Sequence, residues 1–204
     1  LIYSCHVGVS AFVGEISSGV ITVTFNMIIL NLAGNTGVAA YGVVANTSLV
    51  AVALFNGIAQ GSQPLISRSY GRGEEQNVRS LLKMALTTAL GLGVLLMIFI
   101  FFSAPAVTAV FNSEHDLQLA AYADSGLRLY FIGFLFAGIN IVGTAALSAV
   151  ESVKYAFCAS ISRGFVATIF FAFVLSACFK MTGIWLAFPA AEFARSEEHT
   201  SELQ

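Results

Sequence analysis

The sequence predicts an all-α integral membrane protein with six transmembrane helices, on three observations. The 204 residues are 57% hydrophobic and only 10% charged, whereas a soluble domain carries about 25% charged residues. Apolar stretches recur at the length of roughly 20 residues that a bilayer crossing takes. Lysine and arginine collect at alternate junctions between those stretches, as in a chain threaded through a membrane. So few polar side chains cannot cover the protein against water, and lipid must be its solvent.

The apolar windows run over 7–32, 38–65, 78–102, 119–150, 155–179 and 181–194, the last cut short. Between the first two, Ala33, Gly34, Asn35, Thr36 and Gly37 make a tight turn from residues that tolerate positive φ. The fourth window is longer than a crossing needs, so its start is expected to be an exposed turn. Ser113 followed by Asp116 reads as the N-terminal cap of that helix. Arg68, Arg72, Arg79 and Lys83 crowd the second junction, and Lys154 and Arg163 mark the fourth. The opposite side holds only Arg128 and Lys180. The even-numbered junctions and the start of the first helix therefore face the cytoplasm.

Several function classes are excluded. With a net charge of −2 and no basic face, the chain has nothing to hold nucleic acid. Cys5, Cys158 and Cys178 are scattered through apolar runs without zinc spacing. No HExxH, GxSxG or phosphate loop occurs, and His6 and His115 have no partner acids at metal spacing, so no enzyme is expected. Leu1 opens the chain with the apolar pattern about to start, and the chain reads as an internal piece of a longer gene. The hydrophilic run Arg195–Gln204 resembles translated sequencing-adapter DNA. The expected division is thus a helical unit over 1–194 and a foreign tail over 195–204.

Glu15 is the only acidic or basic side chain between His6 and Arg68. It lies about 12 Å inside the first window at 1.5 Å per residue. A lone carboxylate at that depth is costly, which makes it a functional candidate. Desolvation favours its protonated form, and an aqueous cavity or bound cation favours the charged one. The rival reading is a protonated acid hydrogen-bonded between helices. Asn26 follows about three turns on, near the same face, either as a cavity contact or as an interhelical hydrogen bond. Ser17, Ser18, Thr22 and Thr24 read as backbone-bonding or close-packing residues. Asn140 sits mid-window near Tyr130, Phe131, Phe134 and Phe136, whose faces suit lipophilic cations or simply face lipid. Asp124 and Arg128 are spaced as a helical ion pair. Gly57 and Gly61 read as a close-packing face beside Gln60 and Gln63, and Pro64 as a helix stop or bend.

The run containing Gly57, Gly61, Gln63, Pro64, Leu65, Ile66 and Ser67, closed by Tyr70 and Gly71, resembles the signature of the multidrug and toxic compound extrusion (MATE) transporters. The resemblance extends from about Gly8 to Glu192. It includes Phe12 to Gly19 with Asn26, then Ala39 to Gly42, and finally Gly183 to Glu192. It implies the second lobe, helices seven to twelve, of a twelve-helix, two-lobe transporter in the plasma or inner membrane. It further implies cation-coupled antiport of amphiphilic, often cationic compounds by alternating access, with Glu15 exchanging H⁺ or Na⁺. No cofactor beyond that ion is implied. The implied partners are small-molecule substrates, the lipid bilayer and an N-terminal six-helix lobe of the same protein. Some family members carry an acid in the fourth of these helices, where this chain has none between Arg128 and Glu151. The alternatives are a flippase of the same superfamily acting on a lipid-linked precursor, and a non-transporting scaffold or broken gene. A flippase cavity would need basic residues deep in the spans for phosphate, and none is present there.

The orientation predicts that a cysteine at Ser113 reacts with an impermeant thiol reagent applied to whole cells, and that one at Ser69 does not. Reversed labelling would overturn the topology. Genomic DNA across the junction after Ala194 is expected not to encode the last ten residues in frame.

Overall fold

The computed structural model describes the backbone of residues 2–150 and 154–202, and the side chains of 16–150 and 165–197. Among the described residues the protein is all helix: α1 (Ile2–Gly71), α2 (Glu75–Phe111), α3 (Leu117–Tyr130), a 3₁₀ turn (Phe131–Gly133), α4 (Phe134–Ala149) and α5 (Lys154–Glu202). Four helical stretches are long and apolar enough to cross a membrane: Ile16–Gly71, Glu75–Phe111, Leu117–Ala149 and Phe165–Glu197.

Two of these stretches double back. At Gly34 the backbone leaves the helix at φ 64, ψ −158, a conformation that glycine reaches without a Cβ clash. The rings of Phe25 and Tyr41 then lie 5.6 Å apart, where a straight helix would separate them by about 24 Å. This is the turn expected over 33–37. The second reversal is at Lys180, φ 53 and ψ −127. It brings Gly183 so close to the Leu175 carbonyl that a side chain at 183 would collide with it.

Helix α2 carries its logic in its faces. Ala85, Ala89, Gly93, Ile100, Ala104 and Thr108 form a buried stripe at helical spacing. Leu95, Ile98, Phe99, Phe101 and Phe102 are exposed. Small residues admit neighbouring helices and large apolar ones meet lipid, which inverts the pattern of a soluble bundle. At 37 residues α2 is about 55 Å long, more than the roughly 30 Å of hydrocarbon. Its charged first turns, with Glu75, Arg79 and Lys83, extend beyond that core.

Helices α3 and α4 with the 3₁₀ turn between them form the central rod. Half of its apolar window is buried by the rest of the protein, against 17% for that of α2. Gly138 receives the Phe55 ring, Gly126 lies under Trp185 and Val44, and Gly133 lies under Phe188 and Pro189. The backbone of the rod presses on α2 at Gly93, where an added Cβ would lie 3.1 Å from the Phe134 carbonyl oxygen.

Three expectations are corrected. The cap of α3 is Asp116, whose carboxylate accepts from the Gln118 and Leu119 N–H groups, rather than Ser113. His115 adopts φ 54 just before it, which starts the helix beyond the serine. Pro64 does not stop its helix, because α1 continues through it to Gly71. Asp124 does not pair with Arg128. It accepts a hydrogen bond from Thr108 Oγ1 at 2.6 Å, while the Arg128 guanidinium lies 5.5 Å from the centre of the Phe101 ring. The antiparallel approach of α2 offers both groups a better partner than each other.

Gly138→Ala is expected to destabilise the protein by about 1–3 kcal/mol, the cost of overpacking, in thermal unfolding measured in detergent. Phe55 is fully buried and stacked on Phe134, so its ring has no room to yield. Gly91 is exposed, with nothing within 4 Å of an added Cβ. Gly91→Ala should be neutral or stabilising by up to about 1 kcal/mol, the helix-propensity difference.

Candidate functional site

The densest meeting of aromatic and polar groups lies between the central rod and the second limb of α5, residues 181–202. Tyr130 ends α3 and stacks flat on Phe188, with ring centres 4.2 Å apart and planes 6° from parallel. Phe134 touches Phe131 at 4.8 Å, Phe188 at 5.3 Å and Phe55 at 6.1 Å. The 3₁₀ turn places Phe131 and Phe134 on the inner side, where both are fully buried.

One turn of α5 beyond Phe188, the aromatic seam becomes polar. Asn140 is 1% exposed. Its Nδ2 donates to the Glu192 backbone carbonyl at 3.0 Å and to Glu192 Oε2 at 2.7 Å. The other carboxylate oxygen lies 3.8 Å from Arg195 Nη1, one turn further along the helix. Asn140 Oδ1 is buried and has no hydrogen-bond partner. Phe136 packs edge-on against Phe193 beside this clasp. Among the described residues no group of three or more metal-ligating side chains occurs.

The sequence-predicted residues divide around this seam. Asn140 and Tyr130 are in it. Asn26 is half-buried on the first limb of α1 and makes no hydrogen bond among the described residues. Glu15 lies outside the residues whose side chains are described. Thr22 and Thr24 donate to the carbonyls of Ser18 and Val20, the backbone bonding expected of them. Gly57 and Gly61 do not pack on the rest of this chain, since a Cβ at either would meet nothing within 4 Å. With Gln60 and Pro64 they form an exposed face of α1 at helical spacing. Tyr70 is exposed and Gly71 ends α1. The chain then turns tightly, with the Ser69 carbonyl accepting from Arg72 and Glu74 N–H groups and Gly73 at φ 71.

Sequence reading missed Glu192 as a site residue. Its signal was available: an acid inside the apolar run that begins at Gly183, at a depth where ionisable groups are rare. Its partner, 52 residues away, was not legible in the same way.

Apolar helices joined by small-residue contacts, with aromatic and polar groups gathered inside, define a multi-pass membrane protein. The MatE family model matches residues 11–174, and the chain belongs to that family. No curated protein matches it. Among solved structures it resembles a MATE protein crystallised in complex with MaL6, at 15% identity and a TM-score of 0.88, over 96% of this chain and 44% of the other. It also resembles a multidrug resistance MATE family transporter of the MOP superfamily in two states. The outward-facing conformation matches at 14% identity and a TM-score of 0.88, over 97% of this chain and 44% of that one. The inward-facing conformation matches at 16% and 0.88, over 96% and 45%. The chain thus spans less than half the length of the transporters it resembles.

Proposed function

We propose that this chain forms a six-crossing lobe of a two-lobe secondary transporter that exports amphiphilic, often cationic compounds in exchange for H⁺ or Na⁺. The reversals at Gly34 and Lys180 would each join two crossings, making six from four apolar stretches. The 44% coverage of the solved relatives leaves room for a second lobe of similar size.

The observation that carries this reading is the equal likeness of the lobe to relatives facing outward and inward, at a TM-score of 0.88 in both. A lobe that keeps one internal shape in both states is suited to rock as a body against its partner around a shared site. The exposed face of Gly57, Gln60, Gly61 and Pro64 is uncovered by the rest of this chain and is available to such a partner or to a cavity between lobes. For substrate, the reading favours lipophilic cations over lipid-linked phosphates. No lysine or arginine stands between residues 16 and 67, 84 and 127, 129 and 150, or 165 and 179. A phosphate-bearing headgroup in a low-dielectric cavity needs such partners, whereas aromatic faces suit organic cations.

Glu15 is the coupling residue in this proposal. In the transporter that carries this lobe, Glu15→Gln should insert normally and lose gradient-driven efflux of a cationic dye by roughly 5- to 150-fold, the usual span of a coupling free energy. Glu15→Asp should keep part of the activity with a shifted pH dependence, because the carboxylate survives in a displaced position. Wild-type efflux in Glu15→Gln would sink the assignment.

A further inference from the structure

We propose that Glu192 and Asn140 form a proton-binding site inside the lobe, in which the amide meets the carboxylate with its N–H group and the carboxylic acid with its oxygen. The inference deepens the transport reading, since it rests on the second limb of α5 crossing the membrane, and the site is separate from Glu15.

The geometry carries it. Glu192 is about 18 Å along the helix from the Lys180 reversal, well inside roughly 30 Å of hydrocarbon. Asn140 holds it from α4 through both protons of Nδ2, one on the backbone carbonyl at 3.0 Å and one on Oε2 at 2.7 Å. The first bond fixes the orientation of the amide whatever the side chain does. It leaves Oδ1 buried without a partner, an arrangement native proteins seldom keep without a reason. An ionised carboxylate can only accept hydrogen bonds, so it cannot satisfy Oδ1. A carboxylic acid carries one donor, and it can.

Proton uptake therefore changes one contact. The proton, drawn from water, bonds to a carboxylate oxygen of Glu192. The Nδ2–H···Oε2 hydrogen bond breaks and an O–H···Oδ1 hydrogen bond forms, while Nδ2 stays on the Glu192 backbone carbonyl. Release reverses each step and returns the proton to water. Both protonation states find a partner on the same residue, so the site can load and unload without repacking helices.

The charged and titratable groups facing Glu192 among the described residues are few. Arg195 from its own helix is 3.8 Å away. Tyr130, at the end of α3, and Tyr41, on α1, are the neighbouring phenols. From α4 the facing group is Asn140, which does not titrate. Arg195 lies in the run that resembles adapter sequence, and Glu192 meets Asn140 without it.

The test uses the 204-residue chain reconstituted in lipid nanodiscs. In a Glu15→Gln background, which removes the other proposed proton site, infrared difference spectra across acidic to alkaline pH should show a protonated carboxyl band that disappears on adding Glu192→Gln and persists on adding Arg195→Ala. In the unsubstituted chain, the side-chain amide resonances of Asn140 in ¹⁵N NMR should move with the same midpoint as that band. The proposal fails if the band survives the addition of Glu192→Gln. It fails equally if the Asn140 amide is unmoved while Glu192 titrates, a result that needs no substitution. A response to sodium at fixed pH in place of a response to protons would also overturn it, by making the occupant a metal cation. None of these readouts involves efflux, so a negative result in the Glu15 assay is a separate outcome.

Discussion

Close approach at glycine holds these helices together. In lipid there is no hydrophobic force to drive one apolar helix against another, so association depends on packing and on interhelical hydrogen bonds. The central rod of α3 and α4 supplies the packing through Gly126, Gly133 and Gly138, each occupied by a large side chain from α1 or α5. Phe55, Trp185 and Phe188 are the residues inserted, and two of them are among the largest fully buried side chains in the protein. Helix α2 joins through the opposite device: its own Gly93 accepts the backbone of the rod. The rod is consequently the most buried apolar stretch, and α2, exposed along its phenylalanine face, is with the Phe165–Glu197 stretch the least buried.

The polar seam depends on that packing. Pro189 and Phe188 rest on Gly133, which sets the height of α5 against α4. At that height Glu192 meets Asn140 one turn later. A carboxylate largely withdrawn from water is tolerable only where hydrogen bonds replace that water, so the aromatic stack and the Asn140–Glu192 clasp form one arrangement. The contact of α2 with α3 uses the same device. Thr108 and Phe101 of α2 take Asp124 and Arg128 of α3, one by a hydrogen bond and the other over an aromatic face.

A helical unit knit this way would resist internal rearrangement. In the proposed transporter the movement then falls between lobes. The open glycine and glutamine face of α1 lies away from the packed interior.

By itself the sequence determined that lipid is the solvent and that the chain turns near Gly34. It also carried the family, through the loop that runs from Gly57 to Gly71. These are properties of composition and of neighbours along the chain: a helix rises a fixed distance per residue, and glycine at positive φ is a local requirement. Tertiary structure decided the rest. It carried the helix through Pro64 and moved the cap of α3 to Asp116. It gave Asp124 to Thr108 and left the Gly57–Gly61 face uncovered. It joined Asn140 to an acid 52 residues away. Nothing local encodes those choices, because in a membrane both faces of a helix are apolar and hydropathy cannot distinguish the face that meets protein from the face that meets lipid.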